Sequence, residues 1–203
     1  MPCEPFKVVK DFEDALCDYT GAKYAVTTNS CTTALLICLD YFKTVYGGLM
    51  PIGIPKRTYV SVPMQVLNVG GKIEFRDEDW HGSYQLTPYP IWDAARRFTS
   101  GMYIPGQYQC LSFHWSKILG IQQGGAIFHD DDAADPIFRR MRFDGRIEGV
   151  APKEDTFPVR GWHGYMAPEI AAEGLVRLSL LPENNEDLPN SDYPDLSTFP
   201  IFQ

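Results

Sequence analysis

The stretch Leu111-Ser112-Phe113-His114-Trp115-Ser116-Lys117, followed by Ile118 to Phe128, constrains this chain more than any other. It reads as a strand end, a loop carrying one lysine, the glycine pair Gly124-Gly125 and a second apolar strand, Ala126-Ile127-Phe128. A lysine set among apolar and aromatic neighbours loses hydration when buried. Its ammonium pKa then falls, and the free amine becomes a usable nucleophile. Ser112, five positions earlier, offers a hydroxyl beside it. Taken alone, a lysine in a loop is a surface lysine, and two other segments decide the matter.

The first is Ile91-Trp92-Asp93-Ala94-Ala95, a carboxylate at the end of an apolar strand. The second is Thr27-Thr28-Asn29-Ser30-Cys31-Thr32-Thr33-Ala34-Leu35, a Ser/Thr cluster opening a helix. Unpaired backbone N–H groups at a helix start favour an anion, and hydroxyls add donors. A plain N-cap at Ser30 or Thr32 satisfies the same residues. An amine for an aldehyde, a carboxylate for a pyridine nitrogen and an anion cradle are together what pyridoxal phosphate (PLP) requires.

In this order, the three segments resemble the DegT/DnrJ/StrS family of PLP-dependent sugar aminotransferases, and the resemblance runs from about Phe6 to about Leu181. Its most specific piece is Ser112-Phe113-His114-x-x-Lys117 with Gly124-Gly125 behind it. The resemblance implies an α/β fold: the large domain of the fold-type-I (aspartate-aminotransferase type) PLP-dependent transferases, a reduced and mostly parallel sheet flanked by helices, with no counterpart of the C-terminal small domain. It implies that Lys117 forms the Schiff base with PLP and that Asp93 partners the pyridine nitrogen. Ser112, Thr32 and Thr33 become the phosphate cradle, and Tyr59 stands where the family stacks an aromatic on the cofactor ring. Arg96 occupies a place that is commonly Gln, near the cofactor phenolate. Gly161-Trp162-His163-Gly164-Tyr165-Met166 resembles a segment that reaches into the neighbouring subunit's site. There His163 stands at the place of an Asn that touches the phosphate, and Tyr165 at the place of an Arg. The implied partners are a second copy of the chain, with the active site at the subunit interface, and two small molecules. These are an amino-acid donor, usually glutamate, and a keto acceptor, usually a sugar on a nucleotide. Two other readings stay open: a PLP enzyme of another reaction type, such as a decarboxylase or lyase, and a non-catalytic remnant of the fold.

The departures matter as well. The family usually has Gly where Cys31 stands, and a cysteine is strained wherever the backbone needs a positive φ. Asp93 follows Asp77 by only 16 positions, too few for both a strand and a crossover helix, since parallel strands need roughly a dozen connecting residues or more. Residues 1–181 are expected to form the PLP-binding domain. From Pro182 onward there are four prolines, five acidic residues and no Lys or Arg. This acidic tail is left either wrapping a neighbour or mobile.

The chain's 203 residues support one sizeable core, and a net charge of −8 argues against attraction to nucleic acid or an anionic membrane surface. The five cysteines (Cys3, Cys17, Cys31, Cys38 and Cys110) show no metal-ligand spacing, and a reducing cytoplasm suits them. Asp130-Asp131-Asp132 and Asp135 suit a helix start better than a metal. No leader or membrane span is expected.

Overall fold

The computed structural model describes residue 4, residues 6–190 and residues 192–203, so Cys3 and the expected features of residues 1–3 lie outside the described residues. Helices are α1 (Lys7–Thr20), α2 (Cys31–Tyr46), α3 (Ser61–Asn68), α4 (Ala134–Met141) and α5 (Pro168–Leu180). Strands are β1 (Tyr24–Thr28), β2 (Ile52–Pro55), β3 (Ile73–Arg76), β4 (Tyr84–Leu86), β5 (Ile91–Asp93), β6 (Tyr108–Ser112) and β7 (Gly125–His129). Five strands form one sheet in the order β1-β7-β6-β5-β4, and β2 pairs with β3. Mutual bonds between Gly53 and Thr87 (2.8 and 3.1 Å) stitch the pair to the connection leaving β4.

Alternation along the strands sorts the core into two faces. Val26, Cys110 and Ile127 face α2, while Ala25, Leu111, Ala126 and Phe128 join Val9, Phe12, Leu16 and Leu178 of α1 and α5. The result is three layers, helix on sheet on helix.

Strand direction corrects one expectation. Only β5–β6 and β2–β3 are parallel; β1–β7, β6–β7 and β4–β5 are antiparallel, so the sheet is mixed rather than mostly parallel. For β4 the short spacing between Asp77 and Asp93 is the reason. With no room for a crossover helix, β4 turns through Thr87–Pro90 directly into β5 and runs against it. One edge of the sheet therefore collects the C-terminal ends of β1, β2, β3, β5 and β6 together with the first residues of β4 and β7. Binding sites in open α/β sheets form at such an edge.

The segment after α5 runs back over the same chain. The carbonyl of Pro182 accepts from the Tyr19 hydroxyl (2.6 Å) and that of Glu183 from Ser100 N (2.8 Å), Leu188 N donates to Arg96 O (2.8 Å), and Leu196 N donates to Lys56 O (2.8 Å).

Candidate active site

Lys117, Asp93, Thr32, Thr33, Tyr59, Arg96 and Ser112 all line one cavity of about 610 Å³ at that sheet edge. Each arrives for a local reason. Asp93 ends β5 and Ser112 ends β6, so strand pairing sets their spacing. Lys117 follows in a turn closed by its own N–H to the His114 carbonyl (2.8 Å). Thr32 and Thr33 sit in the first turn of α2, where Ser30 is the N-cap and its Oγ accepts from Thr33 N at 3.2 Å. The N-cap and anion-site readings of this segment are thus compatible. Thr33 donates to Asn29 Oδ1 (2.6 Å), and Thr32 donates to Ser61 of α3 (2.9 Å), coupling a second hydroxyl to the cradle.

Gly125 makes this approach possible. A Cβ there would lie 2.4 Å from Cys31 N and 2.7 Å from Leu111 O, so only glycine lets β7 press against the start of α2. Cys31 itself occupies the first helical position, and the only non-glycine positive-φ residues among those described are Asp144 and Phe157, so the feared strain at Cys31 does not arise. Burial pushes the Cys31 thiol well up, and it lines the cavity as a neutral group.

Asp93 is buried, and its donors are neutral: Ala95 N to Oδ1 (3.0 Å) and the Tyr84 hydroxyl to Oδ2 (2.9 Å). Tyr84 also shares a 2.6 Å hydrogen bond with Thr58. Burial raises the Asp93 carboxyl above its usual range, outweighing the Ala95 and Tyr84 hydrogen bonds and the charges of Lys117 and Arg96. Burial likewise pushes the Tyr84 phenol well up, leaving it a neutral donor. A buried carboxylate held by neutral donors at a cavity wall is arranged for a cation from inside that cavity.

Arg96 lines the cavity with its guanidinium 5.8 Å from the centre of the Tyr193 ring, whereas Arg97 turns to Asp187 (3.6 Å). His114 adjoins Lys117 and bonds Ser116 through Nδ1 at 2.9 Å. His163 is separate. It lines an adjoining recess of about 220 Å³ with Tyr165, and its Nδ1 meets Asp144 Oδ2 at 2.8 Å. Asn29, Gln123 and Gly124 border both spaces, and the Gly164 carbonyl accepts from Asn29 N (2.7 Å), so the loop bearing His163 packs directly behind the cradle.

Sequence reasoning missed Tyr84, Thr58, Ser61, Trp80 and Tyr193. Tyr84 reaches Asp93 because β4 is reversed, and Tyr193 reaches the cavity because the C-terminal segment folds back; no local pattern carries either signal.

A fold-type-I large domain, with lysine, aspartate and a Ser/Thr-rich helix start converging on one sheet edge, is the class of protein these features define. The chain belongs to the DegT/DnrJ/EryC1/StrS aminotransferase family, whose sequence model matches residues 4–105 and 104–188. It is 28% identical over 130 residues to the spore coat polysaccharide biosynthesis protein SpsC of Bacillus subtilis (strain 168), an alignment covering 64% of this chain and 32% of SpsC. Its fold is similar to AtS13 from Actinomadura melliaura (TM-score 0.74, 18% identity, 85% of this chain and 59% of that one). It is also similar to PseC of Helicobacter pylori, an aminotransferase involved in the biosynthesis of pseudoaminic acid (TM-score 0.66, 17% identity, 88% and 63%). NtdA of Bacillus subtilis, solved with bound cofactor PMP, matches at TM-score 0.68 and 20% identity over 86% of this chain and 48% of that one. The chain thus spans about a third of the curated relative and about half to three fifths of these solved structures.

Proposed function

We propose that this chain binds PLP and moves an amino group from an amino-acid donor to a keto acceptor, with a keto sugar as the acceptor class. The observation that carries the proposal is the convergence of Lys117, buried Asp93 and the α2 cradle on a single cavity.

The residues present fit the cofactor. The Asp93 carboxylate meets the need of a protonated ring nitrogen, and α2 with Ser112, Thr32 and Ser61 offers N–H and O–H donors to a phosphate. The Lys117 amine is the group that can hold an aldehyde. When bound, PLP would supply an electron sink for the bond broken at the donor's α-carbon. Asp93 would keep the ring nitrogen's charge in place, and Tyr84 fixes the carboxylate's direction. Lys117 Nζ, at the same cavity, would also take the proton from the donor's α-carbon and return it on the product side as general base and acid. Tyr59, at the cavity wall, gives a flat apolar surface for the ring and excludes water from it.

The family resemblance supports a homodimer in which the loop carrying His163 and Tyr165 completes the neighbouring site. The exposed aromatic side chains of Trp115 and Phe157 supply apolar surface of the kind interfaces bury. Among the described residues four cysteines are free thiols, with Cys110 Sγ donating a hydrogen bond to Cys38 Sγ at 3.7 Å, which suits the reducing cytoplasm proposed for the chain. Among them, too, no helix is long and apolar enough to cross a membrane.

The test is spectroscopic. Adding PLP to the purified protein should produce visible absorption, and borohydride should fix the adduct on Lys117. Substituting Lys117→Ala should remove both signals. Colour and turnover that survive in Lys117→Ala would defeat the assignment.

A further inference from the structure

The C-terminal segment is built into the cavity rather than laid over it. Before Tyr193, Leu188 bonds the Arg96 carbonyl and its own carbonyl accepts from Gly82 N (3.4 Å). Asp187 packs so tightly on Gly82 that a Cβ there would lie 2.1 Å from the carboxylate. After Tyr193, Leu196 is buried, Asp195 pairs with Lys56 (3.2 Å) and Phe202 meets Phe75 edge to face at 6.1 Å. Anchored on both sides, Tyr193 holds its ring 5.8 Å from the Arg96 guanidinium and 6.3 Å from the Tyr59 ring. Tyr193 and Trp80 also border a second hollow of about 520 Å³, so their side chains divide the cavity from it.

From this arrangement we infer that Tyr193 is a specificity-determining residue: it forms the substrate-side wall of the site, against which the ring of the keto-sugar acceptor proposed above lies. The inference rests on the PLP reading above and deepens it. A pyranose presents a flat C–H face and a rim of hydroxyls. Aromatic rings match the face, and a few polar groups at the rim fix orientation. Trp80 and Tyr193 supply the rings at this wall, and Arg96, beside the Tyr193 ring, supplies fixed donors. A small keto acid such as pyruvate has no ring face to lay against that wall.

The experiment compares wild type with Tyr193→Ala and Tyr193→Phe, using L-glutamate as donor and two acceptors, a 3-keto-hexopyranose and pyruvate. PLP loading is first measured by absorbance and borohydride trapping in all three proteins. A wild type that takes up no PLP ends the cofactor reading itself, and the inference with it. With PLP bound, Tyr193→Ala should lose about tenfold in kcat/KM for the keto sugar, carried by KM, and less than twofold for pyruvate. Tyr193→Phe should stay near wild type for both, because the ring and its hold on Arg96 remain. Equal losses for both acceptors in Tyr193→Ala would mark a merely structural residue and overturn the inference. So would unchanged sugar kinetics, or a loaded wild type that turns over pyruvate alone.

Discussion

Asp93 carries the clearest pH signature of any single residue. Its carboxyl is raised above the ordinary value of 3.8 chiefly by burial, so the folded state holds the proton more tightly than the unfolded chain. Stability therefore falls as pH climbs from about 3.8 through the raised value. In cofactor-free protein, Asp93→Asn should be the more stable of the two near pH 7, and the gap should close as pH approaches 3.8, read by urea denaturation at a series of pH values. The same variant should bind PLP more weakly, since an amide cannot balance a ring cation. An Asp93→Asn protein less stable than wild type at pH 7 would contradict the burial argument. Glu13 has the opposite sign. Burial would push its carboxyl up, yet Arg142 and Arg139 (2.6 Å) outweigh it and hold the group below its ordinary value of 4.5. That stabilisation is complete above pH 4.5 and is lost as pH falls through the lowered value. Glu13→Gln removes the buried carboxylate that Arg142 and Arg139 share, leaving Arg142 with Glu148 (2.9 Å) and Arg139 with Asp135 (2.9 Å), and should cost about 1–3 kcal/mol at pH 7. The loss should shrink on acidification, a trend calorimetry can follow. Both carboxylates stand out in the sequence as residues, but only Asp93 was legible as a site, because its strand-end context differs from that of a helical Glu13 among other charges.

At the scale of elements, the junction between α2 and β7 carries the site's geometry. Gly125 lies against the Cys31 amide, and Gly124 has φ +134° and forms a bridge with Ser30. Gly125→Ala should push the helix start away from Ser112, destabilising the fold by about 1–3 kcal/mol through overpacking. Cradle and carboxylate are carried on different elements, so PLP affinity should fall further than stability explains. Equilibrium denaturation and PLP titration on one preparation would check both, and an Ala variant with wild-type PLP affinity would show that the contact does not set the cradle. The helices and most strands were legible from periodicity and caps: α1 ends at Gly21 with φ +80°, as its C-cap position implies. The reversed β4 was not. A three-residue strand carries too little pattern to give its direction, which follows instead from the length of the connection beside it.

At the scale of the whole molecule, the dimer proposal makes its own prediction. Light scattering should give twice the monomer mass, and PLP affinity should weaken on dilution below the dimer's dissociation constant, because the loop with His163 would leave the neighbouring site. A monomer with full PLP affinity at every concentration would overturn it. The sequence by itself determined the fold family and singled out the residues proposed for the site: a lysine after a strand, an aspartate ending another and hydroxyls opening a helix are local patterns, each readable from its own neighbours. Only tertiary structure decided that these patterns share one cavity with Ser61 and Tyr193, that Tyr84 holds Asp93 from behind its wall, and that the acidic segment after Pro182 folds back to supply part of that wall. The reason is physical. Helix starts and strand ends are fixed by interactions over a few residues, whereas strand direction and the docking of a charged, proline-broken segment depend on contacts more than 80 positions apart, such as Leu188 with Arg96 and Leu196 with Lys56.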